Sequence, residues 1–163
     1  MIPLNLVVKL DFITVDQEEN IIGNLILDHI NIPFGKGEGY RSGIFRYGKK
    51  ELHPDRWVSE TFPSYLTLDI GFPYNSITIN HYQKGDVIDW HIDKSNTGKV
   101  ISILSLMSDS VLEFREKLNK TKIVTQNMER RSLVQMSDMI RYKWEHRLEA
   151  TSERWSIVYR NIS

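Results

Sequence analysis

The run Trp90-His91-Ile92-Asp93 sets an imidazole and a carboxylate two residues apart. On an extended segment, side chains at i and i+2 share a face, so both can reach one metal ion. Imidazole with carboxylate suits a borderline divalent metal. Two histidines and one carboxylate form a facial set that leaves positions on Fe(II) open for oxygen and a second ligand. A further histidine is needed from a distant strand. His146 lies 55 residues after His91, in the aromatic run Tyr142 to His146. A His-x-Asp pair by itself is weak, because His53-Pro54-Asp55 is another. Pro54 and polar neighbours predict a loop for that second pair, where it is structural or solvated.

The company of His91 and Asp93 sets them apart. Asn80-His81-Tyr82 lies just before them and ends in a turn at Gly85. Asn80 and Tyr82 share one strand face, and His81 points to the other. In Arg154-Trp155-Ser156-Ile157-Val158-Tyr159-Arg160, the residues Arg154, Ser156, Val158 and Arg160 line one face. Trp155, Ile157 and Tyr159 line the opposite one. Two arginines on the inner face of a sandwich strand are costly without anionic partners. A small dicarboxylate satisfies both, since guanidinium grips a carboxylate as a fork. Trp90, Ile92, Trp155 and Ile157 read as core, and His29 as helix surface.

These residues need strands to position them. Short β-branched and aromatic runs follow one another at 76–82, 87–92, 100–106, 110–115, 121–126, 132–136, 140–146 and 154–160. Eight such runs at this spacing predict a sandwich or jelly roll. Before them, Asp16 followed by Glu19 reads as a capping box, with a helix over 17–30 carrying Ile21, Ile22, Leu25, Ile26 and Ile30. Residues 33–48 are rich in glycine and read as a turn-rich stretch, and a second helix is expected from Pro63 or Ser64 to Gly71.

With 163 residues and an ordinary balance of apolar and charged side chains, the chain fits one α+β, mainly β domain over 1–163. There is no cysteine, which excludes a disulfide framework and suits a reducing compartment. Met1 to Val8 is apolar but too short to span a membrane and lacks a basic n-region. A soluble, cytoplasmic protein without a membrane partner is expected. Net charge is zero, yet residues 1–31 sum to −4, residues 32–58 to +3 and residues 115–160 to +5. That asymmetry permits a polyanionic partner, or describes a solvated surface.

Taken together, Asn-x-Tyr-x-x-Gly, His-x-Asp, a distant His and Arg-x-Ser-x-x-x-Arg resemble the AlkB family of Fe(II)/2-oxoglutarate-dependent dioxygenases. The resemblance covers 72–160 closely and the rest in outline. It implies a double-stranded β-helix (jelly roll) over 72–160, an N-terminal strand and helix over 1–31, and a nucleotide-recognition lid over 32–58. It implies that His91, Asp93 and His146 ligate Fe(II). Arg154 and Tyr82, assisted by Ser156, would hold the distal carboxylate of 2-oxoglutarate, and Asn80 and Arg160 would bind near its keto end. With O2 the co-substrate would yield succinate and carbon dioxide while a C–H bond is hydroxylated. A hydroxylated N-methyl group would then collapse to formaldehyde.

Family members that repair alkylated DNA commonly carry an acid two residues after the ligand aspartate, where this chain has Ser95. Arg130-Arg131-Ser132-Leu133 and Arg141-Tyr142-x-Trp144-x-His146 resemble instead the branch that hydroxylates a modified wobble uridine in tRNA. An RNA substrate with a flipped or unpaired base is therefore expected. Repair of alkylated DNA or RNA bases, or oxidation of a protein side chain, is the alternative. In the lid, Tyr40, Tyr47 and Trp57 interleave with Arg41 and Arg46, and such a pattern can stack a splayed base and hold its phosphates.

Overall fold

Two antiparallel sheets carry the molecule in a computed structural model that describes residues 5–30, 41–50 and 56–163. The strands are β1 (Leu6–Lys9), β2 (Gly43–Gly48), β3 (Trp57–Ser59), β4 (Ser76–Tyr82), β5 (Val87–His91) and β6 (Val100–Leu106). They continue as β7 (Ser110–Glu116), β8 (Asn119–Met128), β9 (Leu133–Ser137), β10 (Trp144–Glu149) and β11 (Arg154–Arg160). Helix α1 spans Val15–His29 and α2 spans Asp138–Tyr142. The larger sheet runs β1-β9-β6-β11-β4-β2-β3 and the smaller β5-β10-β7-β8, with only the short β2–β3 pair parallel among the described strands.

Alternation along each strand builds two cores. Val158, Ile101, Ile103, Val134 and Met136 meet Leu112, Phe114 and Leu148 between the sheets. Trp155, Ile157 and Tyr159 point the other way and join Ile77, Ile79, Phe45 and Tyr47 beneath α1. The helix is thus the cover of the larger sheet's outer face, and the space between the sheets is left for the site. The chain passes from β4 in the larger sheet to β5 in the smaller through a tight turn. There Asp86 N donates to Gln83 O at 3.0 Å, and Gly85 takes the left-handed φ of +90° that a side chain would resist.

Several sequence expectations shift. The jelly roll draws in β1 and β2 from before residue 72, because β9 and β4 would otherwise be exposed edges. Helix α1 starts two residues earlier than expected. Thr14 is the cap: its hydroxyl accepts from Gln17 N at 3.1 Å while the Gln17 side chain accepts from Thr14 N at 2.8 Å. This start leaves Asp16 and Glu18 in the first turn, where the helix dipole favours them. The buried stripe is Glu18, Ile21, Leu25 and His29, so Ile26 and Ile30 rotate out to solvent.

His29 is therefore not on the helix surface. Its Nδ1 lies 2.7 Å from Leu25 O and its Nε2 2.8 Å from the Tyr47 hydroxyl. A carbonyl only accepts, so Nδ1 carries the proton and Nε2 accepts from tyrosine. The expected helix over 63–71 is only a 3-10 turn at Ser64–Leu66, anchored by fully buried Leu66. Gly71 and Pro73 leave too little chain to offset helix nucleation. The expected strand 140–146 divides into α2 and β10, with Ile140 buried as the pivot.

Glu18 anchors α1 to the sandwich. Its fully buried carboxylate accepts from Arg130 Nη2 at 2.7 Å, from Arg131 Nη1 at 3.3 Å and from Met107 N at 3.0 Å. Burial alone would raise its pKa. The bonds from Arg130, Met107 and Arg131 outweigh it and hold the carboxyl below the usual range. A depressed folded pKa adds stability that is full above the unfolded value, about 4.3, and is lost as pH falls through the folded one. Glu18→Gln is expected to cost about 2–3 kcal/mol at pH 7, because Arg130 is half solvated. In urea unfolding, the gap to wild type should narrow below about pH 4.3; a gap independent of pH would contradict the pairing.

Candidate active site

His91 ends β5 and His146 lies on β10, and the two are register partners across the strand pair. The pairing, not the sequence distance, brings their ring centroids to 4.2 Å. From His91 to Ile88 is three residues, but their partners His146 and Leu148 are two apart, so β5 carries a bulge. The extra residue turns Ile88 and His91 to the same inner cavity, against simple alternation. Trp90 and Ile92, expected in the core, are displaced to the outer mouth, where the Arg115 guanidinium covers the Trp90 ring at 4.3 Å.

Asp93 lies just past the strand. Its Oδ1 is 3.5 Å from His91 Nε2 and 3.6 Å from His146 Nε2. The three donor atoms lie within 4.8 Å of one another. Ligands at right angles around bonds of about 2.1 Å would stand roughly 3 Å apart, so a small closure completes a facial site. His91 Nδ1 is 2.7 Å from Asp89 O, an atom that only accepts. The proton is thereby fixed on Nδ1 and the Nε2 lone pair is left for a metal. Burial, and then the neighbouring His91, push His146 down to about 3, so its ring is neutral at physiological pH. Asp93 is buried, which would raise its pKa, but Arg160, His91 and His146 together hold it well below the carboxylate range. The donor set of two imidazoles and one carboxylate fits Fe(II).

The second oxygen of Asp93 is not free. Arg160 Nε donates to Oδ2 at 2.7 Å, and its Nη1 donates to Thr78 Oγ1 at 3.1 Å. Arg160, expected beside the co-substrate, thus holds the Asp93 carboxylate so that Oδ1 faces the two imidazoles. Arg141 holds the chain beyond Asp93. Its guanidinium donates to the carbonyls of Asp93 at 2.9 Å, Lys94 at 2.7 Å and Gly98 at 3.1 Å. Sequence reasoning gave Arg141 no structural role. It stands on the short helix α2, five residues before His146, where the alternation of a strand gives no signal.

Arg154 forms the opposite end of the cavity. It is 1% exposed, pairs in register with Tyr82, and stands 5.1 Å from the Tyr82 ring. Its Nη2 donates to Ser105 Oγ at 3.1 Å, while its Nε is buried without a hydrogen-bond partner. No carboxylate reaches it among the described residues. Burial lowers its pKa, though a guanidinium stays charged. Such a cation is a site for an anion. Ser156 and Asn80 are register partners between this end and the triad, with Asn80 Nδ2 donating to Ser156 Oγ at 3.3 Å. Val158, Ile103 and Leu112 supply the apolar wall. The cavity thus has a metal triad at one end and an unpaired buried cation at the other, the fit required by a dicarboxylate that also chelates iron.

The expected substrate residues separate. Arg41 and Arg46 stand at the mouth with Lys94 and Arg160. Tyr47 follows Arg46 on β2 and must face the other way, where it is buried against His29, so it is not available to stack a base. Trp57 lines a different groove, its indole donating to Gly48 O at 2.9 Å and its ring covered by Lys50 at 4.4 Å. Tyr40 and the pair His53 and Asp55 lie outside the described residues. Arg130 and Arg131 are spent on Glu18.

Comparison with known proteins agrees with this geometry. The model of the family described as the 2OG-Fe(II) oxygenase superfamily matches residues 44–160. A solved structure described as "The structure of OsALKBH1" superposes with a TM-score of 0.72 at 14% identity, over 99% of this chain and 100% of that one. At that identity the likeness is one of fold, an AlkB-like jelly roll. No curated protein matches the chain.

Proposed function

The chain belongs to the 2OG-Fe(II) oxygenase superfamily, dioxygenases that use Fe(II), 2-oxoglutarate and O2, and from that premise we propose that it hydroxylates a modified base in nucleic acid, foremost in RNA. The observation that carries this reading is the mouth above the triad. Arg41, Arg46, Lys94 and Arg160 meet there around Trp90, against one acid among the described residues, Asp89, besides Asp93. Cations beside an aromatic ring suit the phosphates and face of an unpaired nucleotide. A base must leave its stack to reach a metal set between two sheets. Ser95 stands where DNA-repair relatives carry an acid, which favours RNA, with a wobble-uridine side chain or an N-methyl group as the oxidised position.

His91, Asp93 and His146 would hold the iron, which with O2 and 2-oxoglutarate supplies the oxidising chemistry. Arg154 and Tyr82 would seat the distal carboxylate, with Ser156 and Asn80 along the chain of the co-substrate. Arg160 orients Asp93, Asp89 O orients His91, and Val158, Ile103 and Leu112 keep water from the reacting atoms. One molecule each of 2-oxoglutarate and O2 gives succinate, carbon dioxide and one hydroxyl on the substrate.

The test is mass spectrometry of nucleosides from total tRNA and from methylated DNA after incubation with Fe(II) and 2-oxoglutarate. A gain of one oxygen on a wobble uridine, or loss of a methyl group from an RNA base, supports the reading. Oxidation of peptides but of neither nucleic acid would replace it with a protein substrate.

A further inference from the structure

Arg41 is the residue that joins the two halves of this site. Its side chain lines both the inner cavity and the outer mouth. Arg41 Nη1 donates to Asn80 Oδ1 at 2.8 Å. A guanidinium has donors only, so this bond settles which way the Asn80 amide faces. The oxygen turns to Arg41, and the nitrogen turns to Ser156 with one N–H to spare. Asn80 is 3% exposed and held by the β4–β11 register, and turning its amide over would set an N–H against the Arg41 donor and lose that bond. Arg41 itself is fixed from the next residues. Ser42 donates to the buried Asp86 carboxylate, and Gly43 opens the β2–β4 pairing opposite His81.

Arg41 also has capacity left over. Its Nε is buried without a hydrogen-bond partner, and no ion pair to it occurs among the described residues. Burial disfavours its charge most, Tyr82 offsets part of that, and the cations Arg46 and Arg160 repel it. A third arginine against a cavity already holding Arg154 and Arg160 is unfavourable until anionic charge enters.

We propose that Arg41 is a positioning residue for the co-substrate: it locks the Asn80 amide with its N–H toward 2-oxoglutarate and adds a positive charge to the wall between Arg154 and the metal triad. The inference rests on the reading of the cavity as a 2-oxoglutarate site. It makes co-substrate affinity depend on Arg41, two residues before β2, at the mouth where the nucleic acid would enter.

The test is the dissociation constant of 2-oxoglutarate in the anaerobic Fe(II) protein, followed by its charge-transfer band, with thermal stabilisation by 2-oxoglutarate as the second readout. Arg41→Ala should weaken 2-oxoglutarate about tenfold or more, the worth of one charged hydrogen bond, at unchanged Fe(II) affinity. Arg41→Lys should restore part of the loss, since an ammonium can still donate to Asn80. Asn80→Asp keeps the acceptor for Arg41 but removes the N–H donor, and should weaken 2-oxoglutarate as well. Arg154→Met is the control for the cavity. If Arg154→Met abolishes binding while Arg41→Ala and Asn80→Asp bind as wild type does, the inference is overturned and the site reading stands. If Arg154→Met also binds normally, the site reading itself fails. A raised KM for RNA with unchanged 2-oxoglutarate affinity in Arg41→Ala would overturn the inference by moving Arg41 to the substrate. Melting curves establish that each variant is folded, and Arg41→Lys decides the matter should the alanine variant not fold.

Discussion

Asp93→Ala will lose both Fe(II) binding and turnover, with succinate formation at the level of a no-enzyme control. The carboxylate is the only ligand oxygen in the triad, and it lies 3.5 and 3.6 Å from the two imidazole nitrogens that complete the set. Its loss leaves two imidazole nitrogens, and no anionic oxygen, for a dication. The charge-transfer band expected on adding 2-oxoglutarate anaerobically should vanish. A band that persisted in both Asp93→Ala and His91→Ala would exclude this metal site. The same substitution strips Arg160 of the acceptor at 2.7 Å, leaving a largely buried guanidinium unpaired. The metal-free variant should therefore also melt below wild type, by an amount in keeping with about 2–4 kcal/mol. Asp93→Ala with Arg160→Met should recover part of that stability without recovering metal.

Arg154→Met should separate binding from stability in the opposite sense. In wild type without co-substrate, the guanidinium is buried beside Tyr82 with one hydroxyl partner and an unpaired Nε. An apolar side chain of similar volume removes that penalty, so the variant should be as stable as wild type or up to about 2 kcal/mol more stable. Its dissociation constant for 2-oxoglutarate should rise by roughly two to three orders of magnitude, as when one member of a buried charge pair is truncated. Addition of 2-oxoglutarate should raise the melting temperature of wild type and leave that of the variant where it was. A variant that is both strongly destabilised and still saturated by 2-oxoglutarate at wild-type concentrations would mean that Arg154 is a structural cation.

The two effects have a common origin in the cavity between the inner faces of the two sheets. Its wall is apolar at Val158 on β11, Ile103 on β6 and Leu112 on β7, and polar at its two ends. Natural cores avoid buried cations because desolvation is expensive. On the proposed reading a dicarboxylate and a metal would relieve that expense on binding, which would couple ligand affinity to stability.

Much of this face was legible in the sequence because strand periodicity is local. Alternation alone put Arg154, Ser156, Val158 and Arg160 on one side of β11 and Trp155, Ile157 and Tyr159 on the other, and Asn80 with Tyr82 on one side of β4. The residue types then named the chemistry, since two imidazoles, a carboxylate and two inward arginines have few uses in common. Periodicity failed where the backbone departs from it. The bulge in β5 sends Ile88 to the cavity with His91, which strict alternation would put on opposite faces. On α1 an isoleucine-rich pattern suggested one stripe, but packing chose another and buried His29 against Tyr47.

What the tertiary structure alone decided is which distant residues meet. His146 becomes the cross-strand partner of His91 through the β5–β10 register, a relation that 55 residues of intervening chain do not encode locally. Arg130 and Arg131, a basic pair suggestive of RNA, are turned inward to Glu18, while Arg41, from a stretch that read as lid, reaches Asn80. A charge run in a sequence is indifferent to its partner; only burial and register supply one. Sequence by itself therefore determined the chemistry, iron with a dicarboxylate co-substrate. The fold decided the division of labour among the arginines: Arg160 orients a ligand, Arg141 clamps the loop beyond it, and Arg154 waits for an anion.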